Sequence, residues 1–321
     1  MTSPATPASD VRHALAWRVA APTAAFVLRV EAASRNTRDL VDGLLLAAIQ
    51  SANVSAISSD PELQLRYAVL ADAPPEDLRR PVSVSAIAHS LRMPFETARR
   101  RVQGLAQLGA LAVTPRGILV SHQALAHPDF LKNVLVRHDL LKDFYFETRD
   151  LGLLSPAPQG GSAAAPVWRT PPLRLTNRLI WEYMLRVADD LGATVGDTTN
   201  GVILLAMAEE NTRGFGPQEM AAWTRDPLAL AHAVRHSELA RRLNFSAETL
   251  RRRVIALEGR GLCVRGPRGL AAAAPPFLRD ALDQMVQDNL VNLQRLFARL
   301  RQFGVLDAWE GADAASRSAH A

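Results

Sequence analysis

The fold is decided by a short basic stretch that occurs twice in the chain. Residues 96–102 read ETARRRV and residues 248–254 read ETLRRRV, at an offset of 152 residues. The similarity extends without a gap over residues 84–120 and 236–272, where 14 of 37 positions are identical. Such a repeat predicts two copies of the same local structure, and its long period argues against a solenoid of short repeats.

Each copy of the repeat predicts two helices followed by a β-hairpin. Apolar residues recur at helical spacing up to a glycine, Gly109 or Gly261, which favours the end of a helix. A short apolar strand, a Pro-Arg-Gly turn and a second strand follow. The predicted helical segments are 85–108 and 237–260, and the predicted hairpins are 111–120 and 263–271.

Serine residues are predicted to cap three of these helices. Ser85 and Ser237 precede the apolar positions of the first helix in each copy, and Ser246 precedes the second helix of the second copy. A serine hydroxyl at an N-cap accepts a hydrogen bond from a backbone N–H group of the first turn. These serines therefore indicate where the helices begin.

Positive charge is concentrated in the two copies. The chain carries a net charge of +5, with 35 Arg and 2 Lys. Residues 79–120 and residues 235–268 each carry +6, so the remainder of the chain carries −7. This segregation of charge is typical of a protein that binds a polyanion.

The second helix of each copy combines an apolar stripe with a basic outer face. In the second copy Leu250, Val254 and Leu257 share one face, and Arg252 points away from it. An outward arginine suits the reading of guanine in the DNA major groove, whereas flanking arginines suit phosphate. The candidate DNA-binding residues are Ser85, Glu96, Thr97, Arg99, Arg100, Arg101, Gln103 and Arg116 in the first copy, and Ser237, Ser246, Glu248, Thr249, Arg251, Arg252, Arg253 and Arg268 in the second.

The repeated pattern resembles bacterial winged helix-turn-helix transcriptional regulators. The pattern is [Ile/Leu]-Ala-x-x-Leu, then Thr-x-Arg-Arg-Arg-Val-x-x-Leu-x-x-x-Gly, closed by a short hairpin, and it covers residues 81–120 and 233–271. The predicted helix order around it is similar to the MarR-type topology. The resemblance implies a mostly α fold with two tandem winged helix-turn-helix domains, flanking long helices and small β-hairpin wings. It also implies double-stranded DNA as the partner, with Arg116 and Arg268 touching phosphate or the minor groove.

The similarity between the two halves extends beyond the basic copies. Residues 42–49 match 200–207 at an offset of 158, and residues 28–30 match 185–187 at an offset of 157. We therefore expect two whole domains, joined by a linker that holds five prolines. The predicted boundaries are a disordered N-terminus at 1–16, a first domain at 17–154, a linker at 155–172, a second domain at 173–309 and a disordered tail at 310–321.

Two domains in one chain suggest a single-chain pseudo-dimer. The long helices predicted at 128–151 and 276–303 are amphipathic and would pack together. A further homodimer of the whole chain stays open. Three alternatives to a transcriptional regulator also stay open: a tandem winged-helix replication initiator, a winged-helix scaffold that binds protein, and a repeat whose arginines form only a solvated helix face.

The sequence shows no pattern typical of catalysis, a cofactor or a membrane span. It has no Gly-rich phosphate loop, nucleophile elbow or pair of catalytic carboxylates, and its histidines lack metal-ligand spacing. The single cysteine, Cys263, excludes an internal disulfide and fits a buried strand position. We therefore expect a cytoplasmic protein that is not an enzyme, without metal or cofactor. A small-molecule effector stays open, because residues 44–49 and 202–207 either line a pocket or belong to the core.

Overall fold

The computed structural model describes residues 8–35, 39–153, 166–216 and 232–319, together with 219, 223, 226 and 227. This part of the chain is mostly helical and contains two small antiparallel sheets of two strands each. The predicted predominance of α-helix is therefore confirmed.

The first half of the chain contains one hairpin, with helices before and after it in the sequence. Strand β1 pairs with β2 from Leu111 opposite Val120 to Thr114 opposite Gly117, which leaves Pro115 and Arg116 in the turn. The elements are α1 (Ala8–Arg35), α2 (Leu40–Asn53), α3 (Ser55–Ser58), α4 (Pro61–Arg66), α5 (Val84–Ser90), α6 (Phe95–Gln107), β1 (Leu111–Thr114), β2 (Gly117–Val120), α7 (His122–Ala126) and α8 (Pro128–Thr148).

In the second half, a pair of helices likewise precedes the hairpin and a long helix follows it. Strand β3 pairs with β4 from Cys263 opposite Ala272 to Gly266 opposite Gly269. The elements are α9 (Leu173–Val195), α10 (Thr198–Asn211), α11 (His236–Leu243), α12 (Ala247–Gly259), β3 (Cys263–Gly266), β4 (Gly269–Ala272), α13 (Arg279–Gln302) and α14 (Val305–Ala319).

The chain forms two compact units, and each unit combines segments from both halves of the sequence. The β3–β4 unit contains Met1–Leu44, Leu91–Met93 and Val187–Leu290, and the β1–β2 unit contains Leu45–Ser90, Pro94–Arg186 and Val291–Ala321. The predicted boundaries follow the order of the sequence and assign α1 to the β1–β2 half. The packing assigns α1 to the β3–β4 unit instead.

Contacts within the β3–β4 unit show why α1 belongs there. The indole Nε1 of Trp17 donates a hydrogen bond to Asp283 of α13 at 2.9 Å. The amide of Asn289 lies 3.4 Å from the Thr23 hydroxyl, to which it donates. Periodicity in a sequence reports local geometry only, and it carries no information on which distant helices bury the apolar face of α1.

The ends of the chain differ from the prediction of disorder. Helix α1 begins at Ala8, and α14 covers most of the predicted disordered tail at 310–321. Inside the β1–β2 unit, Trp309 is buried, and its ring lies 5.9 Å from that of Tyr145. Residues 310–321 are small and mostly polar, so this stretch by itself indicates disorder. The helix that contains it is anchored by the apolar first turns of α14. Residues 1–7, 154–165, 320 and 321, which include most of the predicted linker, lie outside the described residues.

The two predicted helix pairs are present, but two of the three predicted caps are wrong. Helix α5 begins before Ser85, and the Ser83 hydroxyl accepts the hydrogen bond of the Ala86 N–H at 3.1 Å. Helix α11 likewise includes Ser237 and has no side-chain cap. Both helices start before the position that their apolar pattern indicated. The Ser246 cap is confirmed, because its hydroxyl accepts the Thr249 N–H at 3.1 Å.

The predicted apolar stripe of each second helix is confirmed. Leu250, Val254 and Leu257 of α12 are fully buried, and their counterparts in α6 are Ala98, Val102 and Leu105, also buried. Gly109 and Gly261 follow these helices with φ of +73° and +70°, a backbone conformation that glycine adopts without strain. The faces of α6 and α12 opposite these stripes are exposed.

Candidate nucleic-acid interface

A buried asparagine fixes the β1–β2 hairpin beside α6. The Asn53 side chain, at the end of α2, donates to the carbonyls of Arg80 and Ile118 at 2.8 and 3.1 Å. Its carbonyl oxygen accepts the Val120 N–H at 2.9 Å. All three polar groups lie on the hairpin or the segment that pairs with it, so one side chain holds the hairpin in place.

The second copy uses the same device. Asn211, at the end of α10, donates to the carbonyls of His232 and Leu270 at 2.9 and 3.1 Å and accepts the Ala272 N–H at 2.8 Å. Asn53 and Asn211 are paired at the offset of 158, but sequence reasoning assigned them no role. We call these two arrangements the asparagine clamps.

The repeated turn glycines allow a third strand segment to approach each hairpin. Val82 pairs with Ile118 in the first copy, and Val234 pairs with Leu270 in the second. A side chain on the turn glycine, Gly117 or Gly269, would place its Cβ 2.7 or 2.5 Å from the carbonyl oxygen of that valine. The glycine of the turn is therefore required by packing as well as by turn geometry, and the turn leaves Arg116 and Arg268 exposed at the tips.

The first basic surface is formed by the outer face of α6 and the tip of the β1–β2 hairpin. Glu96 accepts a hydrogen bond from Arg99 at 2.9 Å, which raises the pKa of the guanidinium. Within the described part of the chain, Arg100 has no ion-pair partner. The predicted residues of this surface that are exposed are Ser85, Glu96, Arg99, Arg100, Gln103 and Arg116, whereas Thr97 and Arg101 are half-buried.

The second basic surface is formed by the outer face of α12 and the tip of the β3–β4 hairpin. Here one carboxylate binds two arginines: Glu248 accepts from Arg251 at 2.8 Å and from Arg252 at 2.7 Å. These hydrogen bonds lower the pKa of Glu248 to about 2. The predicted residues of this surface that are exposed are Ser237, Ser246, Glu248, Thr249, Arg251, Arg252 and Arg268.

The last of the three consecutive arginines in the second copy, Arg253, has a structural contact. Arg253 is half-buried, and its guanidinium lies 2.9 Å from Asp197 and 3.0 Å from the Asn200 side chain at the start of α10. Asp197 also caps α10 by accepting the Asn200 N–H at 2.9 Å. Arg253, predicted to flank the DNA contact, therefore also links α12 to α10.

Two further arginines on the second copy were missed by sequence reasoning. Arg265 of β3 pairs with Glu258 of α12 at 2.9 Å and joins the hairpin to the helix. Arg242 of α11 pairs with Glu209 of α10 at 2.7 Å. In each pair the two partners lie on different elements, and their separation in the sequence does not predict a contact. Only the fold brings them together. Both pairs stabilise the framework beneath the second basic surface.

Other titratable residues lie in structural positions. Cys263 is buried in β3, as predicted, and burial raises the pKa of its thiol to about 12. His138 of α8 is buried, its ring nitrogen lies 3.0 Å from the Thr176 hydroxyl, and burial lowers its pKa to about 4. Among the described residues, no three His, Cys, Asp or Glu side chains are grouped in a way that would hold a metal ion.

Comparisons with known proteins give no relative for this chain. No protein family, curated protein or solved structure matches it. Across the described part of the chain, every helix is too short or too polar to cross a membrane.

Proposed function

We propose that the chain binds double-stranded DNA through two winged helix-turn-helix domains and acts in transcriptional control. In such domains the second helix enters the major groove and the hairpin lies against the DNA backbone. One observation carries the proposal: the chain builds an exposed arginine helix beside an arginine-tipped hairpin twice, and holds both hairpins with the same asparagine clamp.

The side chains on these surfaces have the chemistry that DNA requires. Arg100 and Arg252 lie opposite the buried stripes of their helices, where a guanidinium reaches base edges and binds guanine through two hydrogen bonds. Arg116 and Arg268 lie at the hairpin tips and would bind phosphate without reading sequence. The role is one of binding, so we propose no enzymatic activity, metal or cofactor.

We further propose that one chain supplies both DNA-binding heads as a pseudo-dimer. The two faces are unequal, because Phe95 and Gln103 on α6 stand where α12 has Ala247 and Ile255. The operator is therefore expected to be an imperfect palindrome with half-sites about one helical turn apart. Footprinting and sizing at low protein concentration test this. A homodimer that protects four half-sites would contradict it.

Direct binding measurements on the full chain test the proposed function. Fluorescence anisotropy with duplex DNA from the source genome should show binding by the wild-type protein and a large loss for the double variant R100A/R252A. Arg66→Ala is the matched control, because Arg66 is an exposed arginine on α4 outside both surfaces. Equal affinity of the double variant and the control would overturn the proposal.

Genome-wide binding separates the regulator from the alternatives. Chromatin immunoprecipitation with sequencing should recover promoter regions for a regulator. Recovery of iterated repeats at a replication origin would instead identify an initiator. Recovery of no DNA, together with stable protein complexes, would identify a scaffold.

A further inference from the structure

The β3–β4 unit contains a cavity of about 140 Å³ that the proposed function does not use. Its walls come from α1, α9, α10 and α13, with Trp223 from the segment after α10. On the α1 side, the lining residues include the small side chains of Ala20, Ala21 and Ala24. On the α10 side, they include Ala208, and most of the lining is apolar.

The β1–β2 unit contains the counterpart of this cavity, and there it is almost filled. Its volume is about 10 Å³. At the offset of 158, Gln50, Ser51 and Val54 of α2 stand where α10 has Ala208, Glu209 and Thr212. At the offset of 157, Asn177, Arg178 and Trp181 of α9 stand where α1 has Ala20, Ala21 and Ala24.

Large side chains close the counterpart. The Arg178 guanidinium is buried and donates to the carbonyls of Tyr67 and Gln64, both at 2.9 Å. Trp181 is 7% exposed, so its indole occupies the interior. Since the same position is closed in one copy by tryptophan and arginine and left open in the other by alanines, the larger cavity is a property of the β3–β4 unit and not of the fold.

The chemistry of the wall defines the occupant. A cavity near 150 Å³ with apolar walls accommodates a single benzene ring. Trp223 lines the cavity, and its indole N–H is buried with no hydrogen-bond acceptor in the described part of the chain. The described lining holds no Lys, Arg or His side chain, so a bound anion would be buried without a balancing positive charge.

We propose that this cavity binds one small, uncharged aromatic molecule that carries a hydrogen-bond-accepting oxygen. The ring would lie among the alanines of α1 and α10, and the oxygen would accept from Trp223. The proposal does not depend on DNA binding, because it concerns residues outside both basic surfaces.

Ligand binding to the full-length protein tests the proposal with two probes of equal ring size. Benzyl alcohol is uncharged with an accepting oxygen, and benzoate is its anionic relative. Isothermal titration calorimetry should show saturable binding of benzyl alcohol at one site per chain, in the millimolar range expected for so few atoms. Benzoate should bind at least about tenfold more weakly.

Cavity-filling variants locate the site. Ala24→Trp reproduces the residue that closes the counterpart, and Ala24→Leu is a smaller change that serves if the larger variant fails to fold. Both should lose benzyl alcohol binding by about tenfold or more. Ala25→Leu is the control, because Ala25 is the next residue on α1 and does not line the cavity. Circular dichroism and thermal melting check that each variant is folded.

Three results would overturn the proposal. One is the absence of benzyl alcohol binding to the folded wild-type protein at millimolar concentration. Another is unchanged binding in folded A24L or A24W. The third is benzoate binding as tight as that of benzyl alcohol. DNA binding by the R100A/R252A series is measured separately. Failure of the cavity proposal therefore does not affect the proposal of DNA binding, and the reverse also holds.

Discussion

The first and second basic surfaces share the residues Glu-Thr-x-Arg-Arg-Arg-Val, yet they present their charges differently. On α6, Glu96 pairs with Arg99 and leaves Arg100 exposed. On α12, Glu248 binds both Arg251 and Arg252. A carboxylate on a helix has neighbours three and four residues later, and it pairs with one of them on α6 and with both on α12. The shared residues therefore form different ion pairs on the two surfaces.

The asparagine clamps beneath the two surfaces are, by contrast, nearly identical. The three hydrogen bonds of the Asn53 clamp are 2.8, 3.1 and 2.9 Å long, and those of the Asn211 clamp are 2.9, 3.1 and 2.8 Å. The clamps thus keep one arrangement in both copies, while the ion pairs on the exposed faces of α6 and α12 differ. We therefore expect variants of the two clamps to lose equal stability, and variants of the two basic surfaces to change DNA affinity unequally.

The largest expected effect is the loss of stability when either clamp is removed. Asn53→Ala and Asn211→Ala each remove three hydrogen bonds to backbone groups, at a cost of about 3 kcal/mol in the free energy of unfolding. Chemical denaturation followed by circular dichroism measures the loss. Ser59→Ala removes one exposed hydrogen bond and should change little. A stable N53A beside an unstable N211A, or the reverse, would break the equivalence of the frameworks.

The next effect concerns the outward arginines. Arg100→Ala should weaken DNA binding by about 1–3 kcal/mol and relax preference at one base position. Arg252→Ala should cost less, because Arg252 must exchange its bond to Glu248 for a base contact. Anisotropy titrations with specific and random duplexes measure both losses. A larger loss for R252A than for R100A would reverse the proposed ranking of the two surfaces.

Smaller and sequence-independent effects are expected at the hairpin tips. Arg116→Ala and Arg268→Ala should each reduce the slope of log K against log salt by about 0.9, the value for one phosphate contact. The affinity for specific and random DNA should fall by the same factor. Loss of affinity for specific DNA alone would assign base reading to the tips instead of phosphate contact.

The smallest expected effect is a gain. Glu248→Gln removes the negative charge that holds Arg251 and Arg252, so DNA affinity should rise a few-fold, whereas Glu96→Gln releases only Arg99 and should raise it less. Since the pKa of Glu248 is lowered to about 2, its carboxyl group stays ionised and the gain should be constant between about pH 5 and pH 8. Equal gains for E248Q and E96Q would remove the distinction between the surfaces.

Much of the local structure could be predicted from the sequence. Helical periodicity identified α6 and α12 with their buried stripes, and the Pro-Arg-Gly turns identified both hairpins. Periodicity reports local geometry and burial, so it succeeded where a helix buries one face. It failed at the beginnings of α5 and α11, where Ser83 and Arg235 occupy the N-cap positions instead of Ser85 and Ser237.

Long-range packing could not be predicted from the sequence, and the reason is physical. The apolar face of α1 is compatible with many partners, and only tertiary packing selects α10 and α13 of the β3–β4 unit. Likewise, the sequence shows that Asn53 and Asn211 occupy equivalent positions at an offset of 158, but their hydrogen bonds to the hairpins depend on the fold. The role of the alanines at 20, 21 and 24 in leaving a cavity open is recognised only when they are compared with the larger Asn177, Arg178 and Trp181.

The salt dependence of DNA binding by the full-length protein tests the central claim most directly. The wild-type chain should bind duplex DNA with log K falling linearly and steeply as log salt rises, at about 0.9 per phosphate contacted, and the R100A/R252A variant should bind more weakly at every salt concentration. The R66A control should coincide with the wild type. Affinity that barely changes between low and physiological salt, or the absence of binding at low salt, would contradict the assignment of both surfaces to DNA.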